Sequence, residues 1–257
     1  MTVSDDRIGV RDDQPAITPV LALEDVSAGY GRFQALFGLT LELPPGGAVA
    51  VVGHNGMGKT TLARVASGLV VPTAGRVRID GRDVTGCPAQ DFARAGVAHA
   101  PEGRSVFATL SVRENLTIGF RKRFGRHGVG AALDRVYELF PRLGERQNQL
   151  AGSLSGGEQR MLTLARVLVL EPRVVIADEL SLGLAPIITD EVYGVLARIK
   201  ASGAALVVIE QHVRHALEVA DLVVLLDRGQ IVYTGPSADV DGLMDAFRAD
   251  TADAPVI

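Results

Sequence analysis

The residues best suited to chemistry form a glycine-rich turn between an apolar run and a helical pattern. The stretch from Gly53 to Thr60, GHNGMGKT, has the spacing G-x-x-x-x-G-K-S/T of a loop whose backbone N–H groups converge on phosphate oxygens. Lys59 would place a compact positive charge at the β- and γ-phosphates of a nucleotide, and the Thr60 hydroxyl would suit Mg²⁺. The residues expected to bind the phosphates are Gly53, His54, Asn55, Gly56, Met57, Gly58, Lys59, Thr60 and Thr61.

Two acidic residues end a second apolar run, RVVIADE. Asp178 could hold Mg²⁺ or its waters, and Glu179 could polarise an attacking water. Such carboxylates can also simply cap the next helix, but the phosphate loop elsewhere in the chain favours the catalytic interpretation. His212 follows a third apolar run, VVIEQH. Because α/β sheets bind ligands at the carboxyl ends of their strands, we expect His212 to reach the γ-phosphate rather than to be purely structural.

A second turn of small residues, SLSGGEQR at positions 153–160, precedes the helical pattern MLTLARVLVL. The Ser155 hydroxyl and the bare backbone N–H groups of Gly156 and Gly157 at a helix start would favour an anion. A role of Ser155 as a helix N-cap is compatible with the same arrangement. The sequence thus contains a second candidate anion site about a hundred residues after the first.

The elements that must position these residues alternate between strands and helices. VLALEDVSAGY and LTLELPPGGAVAVVG predict strands, and the runs RVVIAD, AALVVIE and DLVVLLD after Ser155 alternate with helical patterns. This order predicts an α/β domain with a mainly parallel sheet. From Ser111 to about Leu150 the spacing is helical, and Ser111 with Glu114 forms a predicted capping box.

The predicted organisation is a flexible arm over 1–18, a main domain over 19–245 with a helical subdomain at about 102–159, and a tail over 246–257. The basic segment RKRFGRHGVG, positions 121–130, is predicted to be a solvated loop between helices, with a contact surface as the alternative.

Composition narrows the class of protein. The chain has 257 residues, 47% of them hydrophobic, and a net charge of −4, which disfavours nucleic acid as a partner. The single cysteine, Cys87, suits a reducing cytoplasm, and the apolar runs are too short to span a bilayer. The polar N-terminal sequence does not read as a signal peptide. We therefore expect a cytoplasmic protein.

The order of these motifs resembles the nucleotide-binding domain of ABC transporters over roughly residues 19–245. The resemblance implies a P-loop NTPase with a RecA-like core, an antiparallel β part and a helical subdomain, binding ATP and Mg²⁺. In that family two domains pair head to tail, so Ser155, Gly156 and Gly157 would touch ATP held by a second ABC ATPase subunit. Tyr30 in SAGYGRFQAL would stack on adenine, and SLGLAP, positions 181–186, would link the two sites.

Several stretches, among them APEGRSVFATLSVRENL, YELFPRL, SLGLAPII and VIEQH, resemble branched-chain amino-acid importer ATPases of the LivF type. Glu102 stands where most ABC ATPases have Gln and is expected to serve Mg²⁺ or water, whereas Leu180 stands where Pro is usual. The resemblance implies hydrolysis of ATP on the inner face of the cell membrane, coupled to separate permease subunits and indirectly to a substrate-binding protein. The alternatives are a urea or short-chain amide importer and a soluble, non-transport ABC ATPase.

The docking surface for the permease is expected where the helical insertion begins. Phe107, Leu110 and Val112 would be available there for a short permease helix. The alternative is that Phe107 and Leu110 belong to the core of the subdomain itself.

Overall fold

Ten strands and eight α-helices occur in the part of the chain that the structure, a computed structural model, describes, namely residues 17–103, 105–168, 170–211 and 213–252. The strands are β1 (Leu21–Tyr30), β2 (Phe33–Leu43), β3 (Ala48–Val52), β4 (Ala74–Ile79), β5 (Arg82–Asp83), β6 (Val97–Ala100), β7 (Val174–Asp178), β8 (Ala205–Glu210), β9 (Leu222–Asp227) and β10 (Gln230–Pro236). The helices are α1 (Lys59–Ala66), α2 (Ala89–Arg94), α3 (Val112–Leu139), α4 (Pro141–Glu145), α5 (Gly156–Leu168), α6 (Pro186–Ala201), α7 (Val213–Val219) and α8 (Val240–Ala252). A short 3₁₀ helix spans Ala151–Ser153.

The strands form two sheets. The larger has the order β10-β9-β3-β8-β7-β6, in which every neighbouring pair is parallel except β9 and β10. The smaller, β2-β1-β4-β5, is antiparallel throughout. The prediction of a mainly parallel sheet with an antiparallel part is therefore confirmed.

Three adjacent strands of the larger sheet, β3, β8 and β7, are buried at every position. Alternate side chains of such strands point to opposite faces, and the chain accordingly has two cores. Ala50 and Val208 face the core that contains α5 and α6, whereas Val51 and Val207 face the core shared with the smaller sheet and α1. Burial on both faces explains why these strands read as continuous β-branched runs.

Helix α3 begins as the sequence predicts but continues further. The Ser111 side chain accepts a hydrogen bond from the Glu114 backbone N–H, and the Glu114 carboxylate accepts one from the Ser111 N–H, so the capping box is confirmed. The prediction of a loop over 121–130 is wrong, because the helix runs through this segment and only Gly125, with φ 67° and ψ −175°, leaves helical geometry. Phe120 is fully buried and makes an edge contact with Phe124. The Arg135 guanidinium carbon, from the part of the helix after the break, lies 5.6 Å from the Phe124 ring centroid.

The C-terminal part of the chain also differs from the prediction. Helix α8 crosses position 246, where a tail was predicted to begin, and Ala246 and Phe247 pack against the core that contains α5 and α6. The apolar spacing of this helix therefore extends the ordered chain to Ala252. Most of the predicted N-terminal arm, 1–16, and the last five residues, 253–257, lie outside the described residues.

Candidate active site

The phosphate loop lies at the carboxyl edge of the larger sheet, directly after β3. Gly53, Gly56 and Gly58 have φ values of 154°, 83° and 101°, which side chains rarely tolerate. A Cβ atom at Gly58 would lie 2.6 Å from the Ala35 carbonyl oxygen, and one at Gly53 would collide with the Leu226 carbonyl. The motif therefore requires glycine at both positions because the loop packs against neighbouring backbone.

Lys59 is folded into this loop. Its Nζ donates hydrogen bonds to the carbonyl oxygens of Gly53, at 2.8 Å, and His54, at 3.0 Å, and lies 3.4 Å from the Glu179 carboxylate. The lysine is only 4% exposed. The Lys59 ammonium is thus held inside the loop. A bound phosphate could replace the Gly53 and His54 carbonyl oxygens as its hydrogen-bond acceptor.

Asp178, the last residue of β7, has the features of a cation ligand. Both of its carboxylate oxygens are buried and have no hydrogen-bond partner among the described residues. Burial, with additional repulsion from Glu179 and Glu102, raises the pKa of the Asp178 carboxyl from 3.8 to about 6. Unpaired carboxylate oxygens are ligands that Mg²⁺ accepts, so this residue fits the predicted metal role.

The other residues predicted to hold Mg²⁺ are Thr60 and Glu102. Thr60 is half-buried in the first turn of α1, and Glu102 is exposed just after β6. No group of three His, Cys, Asp or Glu side chains able to hold a metal occurs in the described segments. Mg²⁺ bound here would therefore need oxygen ligands from water and from a phosphate as well, which matches its usual coordination in nucleotide sites.

Glu179 has a strained backbone. Its φ is 46°, unusual for a residue with a side chain, and the residue is 7% exposed. Its backbone N–H donates a 2.9 Å hydrogen bond to the carbonyl of Ile209 in β8. Strain of this kind persists where the surrounding structure holds it, commonly at functional sites.

Arg160 and Glu210 are two buried charged residues that the sequence analysis did not single out. The Arg160 guanidinium donates to the carbonyl oxygens of Gly103, at 2.7 Å, and Glu179, at 3.4 Å, so it connects α5 to both acidic segments. The Glu210 carboxylate accepts hydrogen bonds from the backbone and hydroxyl of Ser181. A signal was available, since both are ionisable residues within otherwise apolar, buried patterns.

Ser155, Gly156 and Gly157 lie at the N-terminus of α5. Ser155 and Glu158 form a capping box at the start of α5, and the hydrogen bonds from Ser155, with the nearby arginines, lower the Glu158 carboxyl pKa despite its partial burial. Ser155 and Gly156 are exposed, whereas a Cβ at Gly157 would lie 2.5 Å from the Ile188 side chain. No hydrogen bond joins these three residues to the phosphate loop in the described chain. The exposed surface of Ser155 and Gly156 is therefore accessible to another molecule.

Tyr30 lies at the end of β1, 43% exposed. Its hydroxyl accepts a 3.1 Å hydrogen bond from Arg64 of α1, whose guanidinium carbon lies 5.9 Å from the ring centroid. The ring is thus attached to the helix that follows the phosphate loop. His212 lies outside the described residues, so its predicted role stays a prediction.

The expected docking residues differ in exposure. Phe107 is 47% exposed beneath the Arg166 guanidinium, whose carbon lies 5.1 Å from its ring, whereas Val112 is fully buried. The prediction that Val112 lines a groove is therefore wrong: it belongs to the core. Asn115 holds the intervening turn by bonding the backbone N–H and carbonyl of Phe107 and the carbonyl of Leu110. Asn115 was missed, although its place on the apolar face of α3 distinguishes it.

Residues 36–181 match the family described as ABC transporter. The high-affinity branched-chain amino acid transport ATP-binding protein BraG of Pseudomonas aeruginosa is 39% identical over 83% of this chain and 91% of its own length. The probable branched-chain amino acid transport ATP-binding protein LivF of Archaeoglobus fulgidus is 31% identical over 84% and 91%, respectively. A solved structure of the ATP-binding subunit of an ABC transporter superimposes with a TM-score of 0.79 and 25% identity, covering 90% of this chain and 99% of that one. In the described residues, every helix is too short or too polar to cross a membrane.

Proposed function

Because this chain belongs to the ABC transporter family and is an ATPase of that family, we propose that it energises import of branched-chain amino acids through separate permease subunits. In this proposal it binds ATP with Mg²⁺ on its own phosphate loop, and a second ATPase subunit completes the site. It acts at the inner face of the cell membrane, where the permeases hold it.

The observation that carries the proposal is the convergence of Lys59, Asp178 and Glu179 at one edge of the sheet. The terminal phosphates would attract the Lys59 ammonium, which now contacts the loop carbonyls and lies 3.4 Å from the Glu179 carboxylate. Asp178 would hold Mg²⁺, which neutralises phosphate charge when bound. As Lys59 turns to phosphate, the Glu179 carboxylate becomes available to accept a proton from the attacking water.

The exposed Ser155 and Gly156 support the second part of the proposal. They lie at the N-terminus of α5, where backbone N–H groups and the helix dipole favour an anion. Since no hydrogen bond in the described residues joins them to the phosphate loop of their own chain, the γ-phosphate that they contact would be one held by a second subunit. A head-to-tail pair, of like or unlike subunits, would then enclose two nucleotides.

Two further features support an importer with a separate permease. A cleft of about 420 Å³ lies between the end of β6, Ser105, Gly119 and the Thr163–Arg166 face of α5, next to the exposed Phe107. A short permease helix could enter such a cleft. The 39% identity to an ATP-binding protein of branched-chain amino acid transport supports leucine, isoleucine or valine as the cargo.

The test separates nucleotide binding from hydrolysis and then examines transport. Lys59→Ala should lose most ATP binding, whereas Glu179→Gln should bind ATP normally and hydrolyse it about 10²-fold more slowly, the scale of general-base assistance. Both are measured on the purified full chain, by equilibrium binding of labelled ATP and by phosphate release.

Transport is measured in cells in which each variant replaces the parental gene. Uptake of labelled leucine should fall with both substitutions, while uptake of labelled urea and ribose should not change. Equal phosphate release by Glu179→Gln and the parent would exclude the catalytic assignment; normal leucine uptake with either inactive variant would exclude the cargo.

A further inference from the structure

Both carboxylate oxygens of Glu210 accept hydrogen bonds from one residue, Ser181. Glu210 ends β8 and is 2% exposed. Its Oε1 accepts the Ser181 backbone N–H at 3.1 Å, and its Oε2 accepts the Ser181 hydroxyl at 2.8 Å. Ser181 comes two residues after Glu179, so this buried acid holds the turn that carries the candidate catalytic carboxylate.

The residue before Glu210 holds the same turn from its other end. The Ile209 carbonyl accepts the Glu179 backbone N–H at 2.9 Å, where Ile209 pairs with Asp178 in the sheet. The last two residues of β8 therefore bind the 179–181 turn through three hydrogen bonds. Two of these go to a charged acceptor and are stronger than neutral ones.

The turn needs this support because its conformation is unfavourable. Glu179 has φ 46°, and a side-chain-bearing residue keeps such a geometry only where surrounding contacts enforce it. Leu180 carries no ring that would restrict its φ, although it is buried at 1% exposure. The hydrogen bonds to β8 thus restrain the backbone from which the Glu179 side chain extends.

A buried charge such as that of Glu210 is tolerated when charge of opposite sign lies near it. Arg160 supplies it: burial lowers the pKa of its guanidinium, and the charges of Glu102, Glu210, Asp178 and Glu179 oppose that change. Tyr193 of α6 lies beside Glu210 and stays uncharged, since burial and the charge of Glu210 raise the pKa of its phenol. The Glu210 carboxylate is thereby enclosed beside the catalytic acids.

We propose that Glu210 is a positioning residue, which fixes the 179–181 turn through Ser181 and thereby aims the Glu179 carboxylate at the attacking water. The proposal rests on the proposed catalytic role of Glu179. It predicts a defect in the chemical step and not in ATP binding, because neither Glu210 nor Ser181 belongs to the phosphate loop.

The experiment compares Glu210→Val, Ser181→Ala and their double variant with the parental full chain. Valine suits a buried strand but accepts no hydrogen bond, so kcat for ATP hydrolysis should fall about 10- to 100-fold while ATP affinity changes less than about threefold. Ser181→Ala should lower kcat by a smaller factor. The double variant should be no slower than Glu210→Val alone, since both substitutions remove the same contact.

Two further variants are controls. Glu210→Gln retains a carbonyl oxygen for the Ser181 N–H and should recover most of the lost rate. Glu218→Gln removes an exposed carboxylate of α7 whose ion-pair partners are Arg214 and His215, so it should hydrolyse ATP at the parental rate. Circular dichroism and the thermal midpoint establish that each variant is folded.

The outcomes separate this inference from the proposed function. A folded Glu210→Val chain with parental kcat overturns the inference, even if Glu179→Gln is inactive as expected. If Glu210→Val does not fold, parental kcat in Ser181→Ala overturns it instead. Strictly additive losses in the double variant also argue against it, because they would mean that the two residues act separately. A parental chain without ATPase activity would overturn the proposed function itself, and the inference with it.

Discussion

Replacing Asp178 with asparagine should stabilise the nucleotide-free chain while removing its Mg²⁺-dependent activity. Both Asp178 oxygens are buried without a hydrogen-bond partner in the described chain, and burial is the main reason that the pKa of this carboxyl rises from 3.8 to about 6. The folded chain therefore binds a proton at this site more tightly than the unfolded chain. An amide of the same shape carries no charge to bury.

The sign and size of the effect follow from linkage. The contribution of Asp178 to folding stability is fully present below pH 3.8 and is lost as the pH rises through about 6. The interval between these values corresponds to roughly 3 kcal/mol, at about 1.4 kcal/mol per pH unit. Because the asparagine amide is itself left without partners, the net gain at pH 8 should be smaller, about 1–3 kcal/mol.

The assay is urea unfolding of the full chain with EDTA and without nucleotide, at pH 8 and at pH 5. Asp178→Asn should raise the free energy of unfolding at pH 8 and raise it less at pH 5, where the parental carboxyl is partly protonated. Asp134→Asn, at an exposed position of α3, is the matched control and should show no such difference. The same Asp178→Asn chain should lose most Mg²⁺-dependent phosphate release.

A stability gain that is equal at the two pH values would refute the argument, because it could not come from titration of Asp178. Lower stability of Asp178→Asn at pH 8 would refute it too, and would mean that the carboxylate is held by contacts that its unpaired oxygens do not reveal.

Two other predictions concern partners. If Ser155 completes the site of a second subunit, sedimentation of Glu179→Gln should reveal a dimer with ATP and Mg²⁺ but monomers with ADP. Adding Ser155→Arg should prevent the dimer. Monomers of Glu179→Gln with ATP would exclude pairing of like subunits. If Phe107 contacts the permease, Phe107→Asp should lower co-purification with the permease and leucine uptake at least tenfold, the loss expected when a charge enters an apolar contact, with ATPase activity of the isolated chain preserved. The control is Val232→Asp, at a similarly exposed position (51%) on β10, an edge strand of the larger sheet. Normal uptake with a folded Phe107→Asp chain would exclude the Phe107 surface.

The sequence predicted the larger sheet well because its strands are buried on both faces. Continuous runs such as VVIAD and ALVVIE, separated by helical patterns, admit few other arrangements. The phosphate loop was equally clear, since its motif demands glycine, and at Gly53 and Gly58 a side chain would collide with neighbouring backbone. For the sheet and for the phosphate loop alike, the local sequence pattern and the tertiary packing favour the same structure.

The wrong predictions concern segments whose conformation depends on packing against residues distant in the sequence. Gly125 and Gly128 suggested a loop, but the break is confined to Gly125. Phe124 before the break lies under the Arg135 guanidinium after it. Strand β10 was not predicted, although Arg228 and Gly229, with φ values of 43° and 81°, form the tight turn that joins it to β9. In α3, each glycine reduces helix stability by about 1 kcal/mol. Burial of the aromatic side chains contributes more than this amount, so the helix continues.

The contacts of Arg160, Glu210 and Asn115 could not be read from the sequence, because each joins segments that are distant along the chain or bonds only to backbone. Arg160 bonds to carbonyl groups 19 to 59 residues away, and no pattern of residue types specifies a carbonyl acceptor. A useful rule remains: an ionisable or amide side chain inside an apolar pattern must find partners, so it marks a position where the fold connects distant segments.

The acidic edge of the sheet combines three arrangements that each reduce the stability of the free chain: an unpaired buried carboxylate at Asp178, a positive φ at Glu179 and a buried guanidinium at Arg160. A ligand that binds only the folded chain adds about 4 kcal/mol at a thousand times its dissociation constant, which is comparable to the penalty worked out for Asp178. Nucleotide with its metal can therefore offset the cost of the site, but only while it is bound. On this argument the nucleotide-free chain is the less stable state.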